Sequence, residues 1–109
     1  MNDRAIMGQR AMTIQDYRRQ IDIIDDQLLN LLNERAKLAA RVGVLKAAAG
    51  RPPRDKDRER EVLARAIHTN GGPLDIKAVS NIFRCIINET RRAQTYASNV
   101  ISSEITKGS

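Results

Sequence analysis

From Thr13 to Ala49 the chain contains no proline and a single glycine, Gly43. Within that stretch Ile14, Tyr17, Ile21, Ile24, Leu28, Leu31, Leu38, Val42 and Leu45 recur at alternating spacings of three and four. The one break in the register falls at position 35. Such a seam predicts one unbroken amphipathic helix. Gly43 costs such a helix about 1 kcal/mol and marks a point of close packing. Some 36 residues at 1.5 Å each make a helix about 54 Å long. A compact chain of this length has a radius of gyration of only about 13 Å. A helix that long leaves its seam bare in a monomer, and a second helical chain is the simplest cover. The expected architecture is therefore all-α, with three helices per chain, one of them very long, in an intertwined homodimer.

The remaining boundaries follow from punctuation. Thr13 and Asp16 form a variant capping box at the start of the first helix. Gly50, Pro52 and Pro53 stop it. Asp55 is placed to cap a second helix to about Thr69, with Asp57 and Glu59 in the favourable first turn. Val62, Leu63, Ala66 and Ile67 would form its buried stripe. The turn TNGGP, residues 69–73, ends it. Asp75 caps a third helix to about Ala97, with Ile76, Val79, Ile82, Phe83, Ile86 and Ile87 as its stripe. Residues 1–12 are expected as a flexible leader, 13–97 as the functional domain and 98–109 as a flexible tail.

Composition narrows the function. A net charge of +6 points either to a nucleic acid or anionic membrane surface, or to a small polyanion. Aromatic residues at 3% leave almost nothing on which bases could stack, which counts against single-strand binding. Asp22, Asp25, Asp26 and Glu34 interrupt any basic stripe on the first helix, so no nucleic acid is expected. No apolar run approaches the ~20 residues of a membrane span, and the first twelve residues lack the apolar core of a signal peptide. The single cysteine, Cys85, excludes an intrachain disulfide and suits a reducing compartment. Its place inside FRCII reads as a small core residue. The cytoplasm is the expected location.

The informative residues are polar ones that interrupt apolar stripes. Arg35 occupies the gap in the seam, where a buried guanidinium is costly unless an anion meets it. An Asp or Glu from another helix would serve as well as a ligand. Lys46 lies eleven residues on, about 20° around the helix and about 16 Å along it. Taken alone it reads equally as a solvated terminal lysine. Thr90 and Gln94 extend the stripe of the third helix, either as hydrogen-bonding groups or as its fraying end. Together the four residues describe a pocket with fixed cations and neutral donors. No nucleophile and base stand paired, His68 reads as a surface residue beside a turn, and one Cys with one His fits no metal-ligand spacing. No metal and no cofactor is expected.

LNERAKLAARVGVLK, then RPPRDKDRERE, then IFRCIINETRRAQ together resemble the all-helical class of chorismate mutase. The pattern carried over residues 14–95 is Arg18 before Ile21-Asp22-Ile23-Ile24-Asp25, Leu28 through Arg35, Val42-Gly43 with Lys46, Asp55 with Arg58 and Glu59, and Thr90 with Gln94. The resemblance implies an intertwined dimer with two equivalent sites, which rearrange the dianion chorismate to prephenate in phenylalanine and tyrosine biosynthesis. It implies that Arg35 and Arg18 of the partner chain hold the substrate's carboxylates. Arg18 lies about 25 Å along the helix from Arg35 and on another face, too far for one chain to use both. It further implies that Lys46 contacts a carboxylate and the ether oxygen, and that Gln94 donates to that oxygen. Glu59 and the backbone near Asp55 would hold the ring hydroxyl, with Arg58 supporting that corner. Thr90 stands where the family often has serine.

Two rivals remain at this level. An isochorismate pyruvate lyase shares the fold, although the intact Asp55-x-x-Arg58-Glu59 motif favours the mutase. A helical interaction or regulatory module is the rival from another class. A regulatory partnership is compatible with catalysis, since some small mutases dock on another enzyme of the shikimate pathway. A free-standing mutase is expected, without a dehydratase, dehydrogenase or amino-acid-sensing domain.

Overall fold

The structure is a computed structural model that describes the backbone of residues 11–108 and the side chains of residues 11–96. Most of the expected leader, residues 1–10, lies outside the described residues. Three helices follow one another: α1 at Ile14–Ala48, α2 at Lys56–Thr69 and α3 at Ile76–Gly108. Among the described residues there is no strand. No helix among the described residues is long and apolar enough to cross a membrane.

The helix ends are built by the predicted local chemistry. At the start of α1 the Thr13 amide donates to Asp16 Oδ2 at 2.9 Å, and the Asp16 amide donates to Thr13 Oγ1 at 3.1 Å. Each side chain thereby satisfies one of the orphan donors of the first turn. At the other end Gly50 adopts φ +69°. The Arg51 amide then returns to the Lys46 carbonyl at 2.8 Å and the Gly50 amide to the Ala47 carbonyl at 3.1 Å. This is a Schellman closure, which needs the left-handed conformation that glycine adopts without strain. Asp55 caps α2 by accepting from the Arg58 amide at 3.0 Å. Asp75 caps α3 by accepting from the Ala78 amide at 2.8 Å. In the turn between them the Asn70 side chain donates to the Leu74 carbonyl and accepts from the Gly72 amide.

The chain divides into two compact units, Met1–Leu31 and Leu32–Ser109, with α1 continuous through both. In the first unit the apolar face of α1 is bare: Ile14, Tyr17, Ile21, Ile24, Leu28 and Leu31 are all at least half exposed. In the second unit the core is small. Val79 and Ile87 are the only buried hydrophobic residues among those described. Leu38, Val42 and Leu45 of the seam remain exposed, Leu45 to 70%. Ser80 and Thr90 are buried polar residues on α3.

Several expectations need correction. α3 does not stop near Ala97; it runs to Gly108, so the stretch expected as a flexible tail is helical over 98–108. That stretch has neither proline nor glycine before Gly108, so nothing local ends the helix. Cys85 is exposed, not a core residue. The helical period puts position 85 off the stripe of Val79, Phe83, Ile86 and Ile87, so its apolar neighbours in FRCII are a misleading guide to its burial. The stripe of α2 is only half-buried, and Ile76 and Ile82 of α3 are exposed.

Candidate active site

Seven of the eight candidate residues line one cavity of about 320 Å³ in the second unit. Arg35 and Lys46 come from α1, Asp55, Arg58 and Glu59 from the cap and first turn of α2, and Thr90 and Gln94 from α3. Leu38, Ala39, Val42, Val62 and Ile87 supply apolar wall. The eighth candidate, Arg18, is an exposed α1 residue of the first unit and does not line this cavity.

Arg35 is half-buried, and among the described residues no carboxylate pairs with it. Its Nη1 instead donates to Thr90 Oγ1 at 2.6 Å. Burial, and then repulsion from Arg58, make its charged form less favourable than that of an ordinary guanidinium. Arginine nevertheless stays protonated, so the group is a fixed cation without an anion. Thr90 is committed to holding it. The hydroxyl donates to the Ile86 carbonyl at 2.8 Å, which leaves its lone pairs to Arg35. Thr90 therefore orients a cation more directly than it offers a donor.

Lys46 is the second cation without a carboxylate partner among the described residues. Its Nζ donates to the Pro53 carbonyl at 3.0 Å and to Gln94 Oε1 at 3.4 Å. An ammonium carries three donors, so one remains for a ligand. Because Gln94 accepts through its oxygen, its amide nitrogen stays available to donate. Gly43 makes this pairing possible. A Cβ there would stand 2.7 Å from the Gln94 carbonyl oxygen, so α1 and α3 approach in van der Waals contact one turn before Lys46.

Asp55 is held below the usual aspartate range, first by the Arg58 amide that donates to it. Partial desolvation opposes this, and the charges of Lys46 and Arg51 reinforce it. The Arg58 side chain is exposed and its Nη1 pairs with Glu61 at 3.2 Å, so its described role is at the cavity rim. Glu59 is more enclosed. Its Oε1 accepts from Arg54 Nη2 at 3.3 Å and its Oε2 from Arg91 Nη1 at 2.6 Å.

Arg91 was not singled out from the sequence, yet it lines the cavity. Two arginines stand side by side in TRRAQ, and composition does not separate them. Helical periodicity does. Arg91 lies four residues after buried Ile87 and three before Gln94, on the same face. Arg92 points away, 76% exposed and paired with Glu89.

Chemically, the cavity combines two cations with no ion-pair partner among the described residues, an uncommitted amide donor and a positioned carboxylate on an apolar wall. Such a lining suits a compact polyanion with a hydroxyl. Comparison with known proteins agrees with this outline. Residues 17–95 match the family described as chorismate mutase type II. The bifunctional chorismate mutase/prephenate dehydratase of Aquifex aeolicus is 40% identical over 79 residues, which cover 69% of this chain and 22% of that protein. The protein of the same description from Neisseria gonorrhoeae is 43% identical over 75 residues, covering 67% of this chain and 20% of its own length. The chain thus spans about a fifth of the length of these curated relatives. A chorismate mutase structure from Thermus thermophilus, form II, superposes with a TM-score of 0.74 at 30% identity, over 75% of this chain and 93% of that one. Form I from the same organism gives 0.69 at 32% identity, over 71% and 96%. The match runs from the bare seam of α1 through both capped turns to Gln94, and by it the chain belongs to the chorismate mutase type II family.

Proposed function

We propose that this protein converts chorismate to prephenate, as a homodimer in which each chain completes the other's site. The observation that carries the reading is the pair of cations, Arg35 and Lys46, that face one cavity without a carboxylate partner among the described residues. A dianion bound there supplies the missing charges. The reaction is a unimolecular rearrangement in which a C–O bond breaks as a C–C bond forms. No proton moves and no covalent intermediate forms. Catalysis then consists of folding the enolpyruvyl arm over the ring and stabilising the charge that grows on the ether oxygen.

The roles are assigned by the resemblance to the family, and the hydrogen bonds of the cavity are compatible with them. Arg35, steadied by Thr90, holds a carboxylate through its planar fork. Lys46 turns its remaining donor to the ether oxygen while its charge faces a carboxylate, and the Gln94 amide nitrogen donates to the same ether oxygen. Glu59 accepts from the ring hydroxyl, beside the Asp55 backbone, with Arg58 at the rim. Arg18 of a second copy holds the other carboxylate. The exposed seam of α1 and the presence of only two buried hydrophobic residues among those described support the dimer, since so small a core gains most of its apolar burial from a partner. Docking on another enzyme of the shikimate pathway, in the cytoplasm, is compatible with this arrangement.

The direct test is loss of chorismate by ultraviolet absorbance with the purified full chain, beside Glu59→Ala. Saturable formation of prephenate that collapses in the variant is the expected result. A folded dimer that leaves chorismate unchanged overturns the reading.

A further inference from the structure

We propose that Arg91 is a positioning residue that aims the Glu59 carboxylate at the substrate's ring hydroxyl, and so sets the preference for a hydroxylated ring. The inference rests on the chorismate mutase reading of the cavity. It starts from a mismatch between position and freedom. Glu59 lies in the first turn of α2, where a glutamate has several open rotamers. Yet it must present one oxygen to a small ligand group. Nothing on α2 itself holds it: its partners come from the preceding loop and from α3.

Of those two partners, Arg91 has the stronger grip. Its Nη1 meets Oε2 at 2.6 Å, a charge-assisted bond between side chains only 28% and 22% exposed. Arg54 reaches Oε1 at 3.3 Å from a side chain 54% exposed, where water screens the pair. Arg91 is itself anchored, because its Nη2 donates to Asn88 Oδ1 at 3.1 Å on the same helix. The chain Asn88–Arg91–Glu59 therefore bridges α3 to the opening turn of α2. A carboxylate accepts at about four lone-pair sites, so each Glu59 oxygen keeps capacity for a further donor. Arg91 is also neutralised by the pair, unlike Arg35 and Lys46. It does not compete with them for the substrate's carboxylates.

The test uses chorismate and an analogue whose ring hydroxyl is replaced by hydrogen, with the full-length chain throughout. Wild type is expected to favour chorismate in kcat/KM. Arg91→Gln is expected to lose about 10- to 100-fold in kcat/KM on chorismate, much less on the analogue, and so to compress the preference. Arg91→Lys keeps the charge without the fork and is expected to recover part of the preference. Arg54→Gln is expected to lose less than Arg91→Gln. Adding Arg91→Gln to Glu59→Gln is expected to cost little more, because the two act as a unit. Equal losses on both substrates in Arg91→Gln show a merely structural role and overturn the proposal. Full additivity in the double variant overturns it as well. Wild-type protein inert towards chorismate overturns the parent reading and this one together, so the two failures are told apart by the wild-type rate.

Discussion

Replacing Gly43 with alanine sets two effects of opposite sign against each other. Gly43 lies inside α1, and intrinsic propensity favours alanine there by about 1 kcal/mol. An ideal Cβ at this position stands 2.5 Å from Gln94 Cγ, 2.7 Å from the Gln94 carbonyl oxygen and 3.2 Å from the carbonyl carbon. The Cγ can swing aside. The carbonyl belongs to the hydrogen-bonded backbone of α3 and moves only with the helix. Relief to a comfortable separation requires roughly half an ångström or more of helix displacement. Overpacking of this kind costs about 1–3 kcal/mol, and contact with backbone puts it in the upper part of that range. The net expectation is a loss of about 1–2 kcal/mol. The displacement also stretches the Lys46–Gln94 contact, already 3.4 Å, and re-aims both groups. A shift approaching 1 Å costs on the order of 10²-fold in rate, so kcat/KM should fall at least about tenfold. Urea unfolding at fixed protein concentration, with kcat/KM on chorismate, measures both. A gain of about 1 kcal/mol, the propensity value, with undiminished kcat/KM would refute the close-packing argument.

Lys46→Ala removes a donor aimed at developing charge and should cost on the order of 3 kcal/mol in transition-state stabilisation, mainly in kcat; wild-type turnover in that variant contradicts the assigned role. Arg18→Ala and Arg35→Ala should each be nearly inactive alone, yet co-refolded subunits should recover about a quarter of wild-type activity, since half the dimers would carry one intact site. No recovery from a mixed dimer refutes the sharing of sites between chains. Asp55 is depressed in the folded state, so the stability it lends α2 is complete above the unfolded aspartate value and is lost as pH falls through the lower folded value. Unfolding midpoints of wild type should therefore drop through that acid window more steeply than those of Asp55→Asn, which keeps a capping oxygen but does not titrate; identical pH profiles contradict the capping argument.

All of the helix ends except the C-terminal end of α3 were legible in the sequence, because the groups that make them lie within five residues of one another. Thr13 with Asp16, Arg51 with Lys46, and Asp55 with Arg58 each close a helix end by contacts that depend on local backbone geometry alone. The same holds for the polar interruptions: a helical period places Arg35, Lys46, Thr90 and Gln94 on apolar faces whatever the rest of the chain does. What each of those groups touches was not legible. The Thr90 hydroxyl turns to Arg35, Glu59 is gripped by Arg91, and Gly43 gives Gln94 its room, all across pairs of helices. Those partnerships depend on the sliding register and rotation of one helix against another. Periodicity gives the face a residue occupies, but not the height at which a neighbour meets it. The exposure of Cys85, by contrast, was within reach of the sequence, since the helical period puts position 85 off the apolar stripe of α3 whatever packs against it.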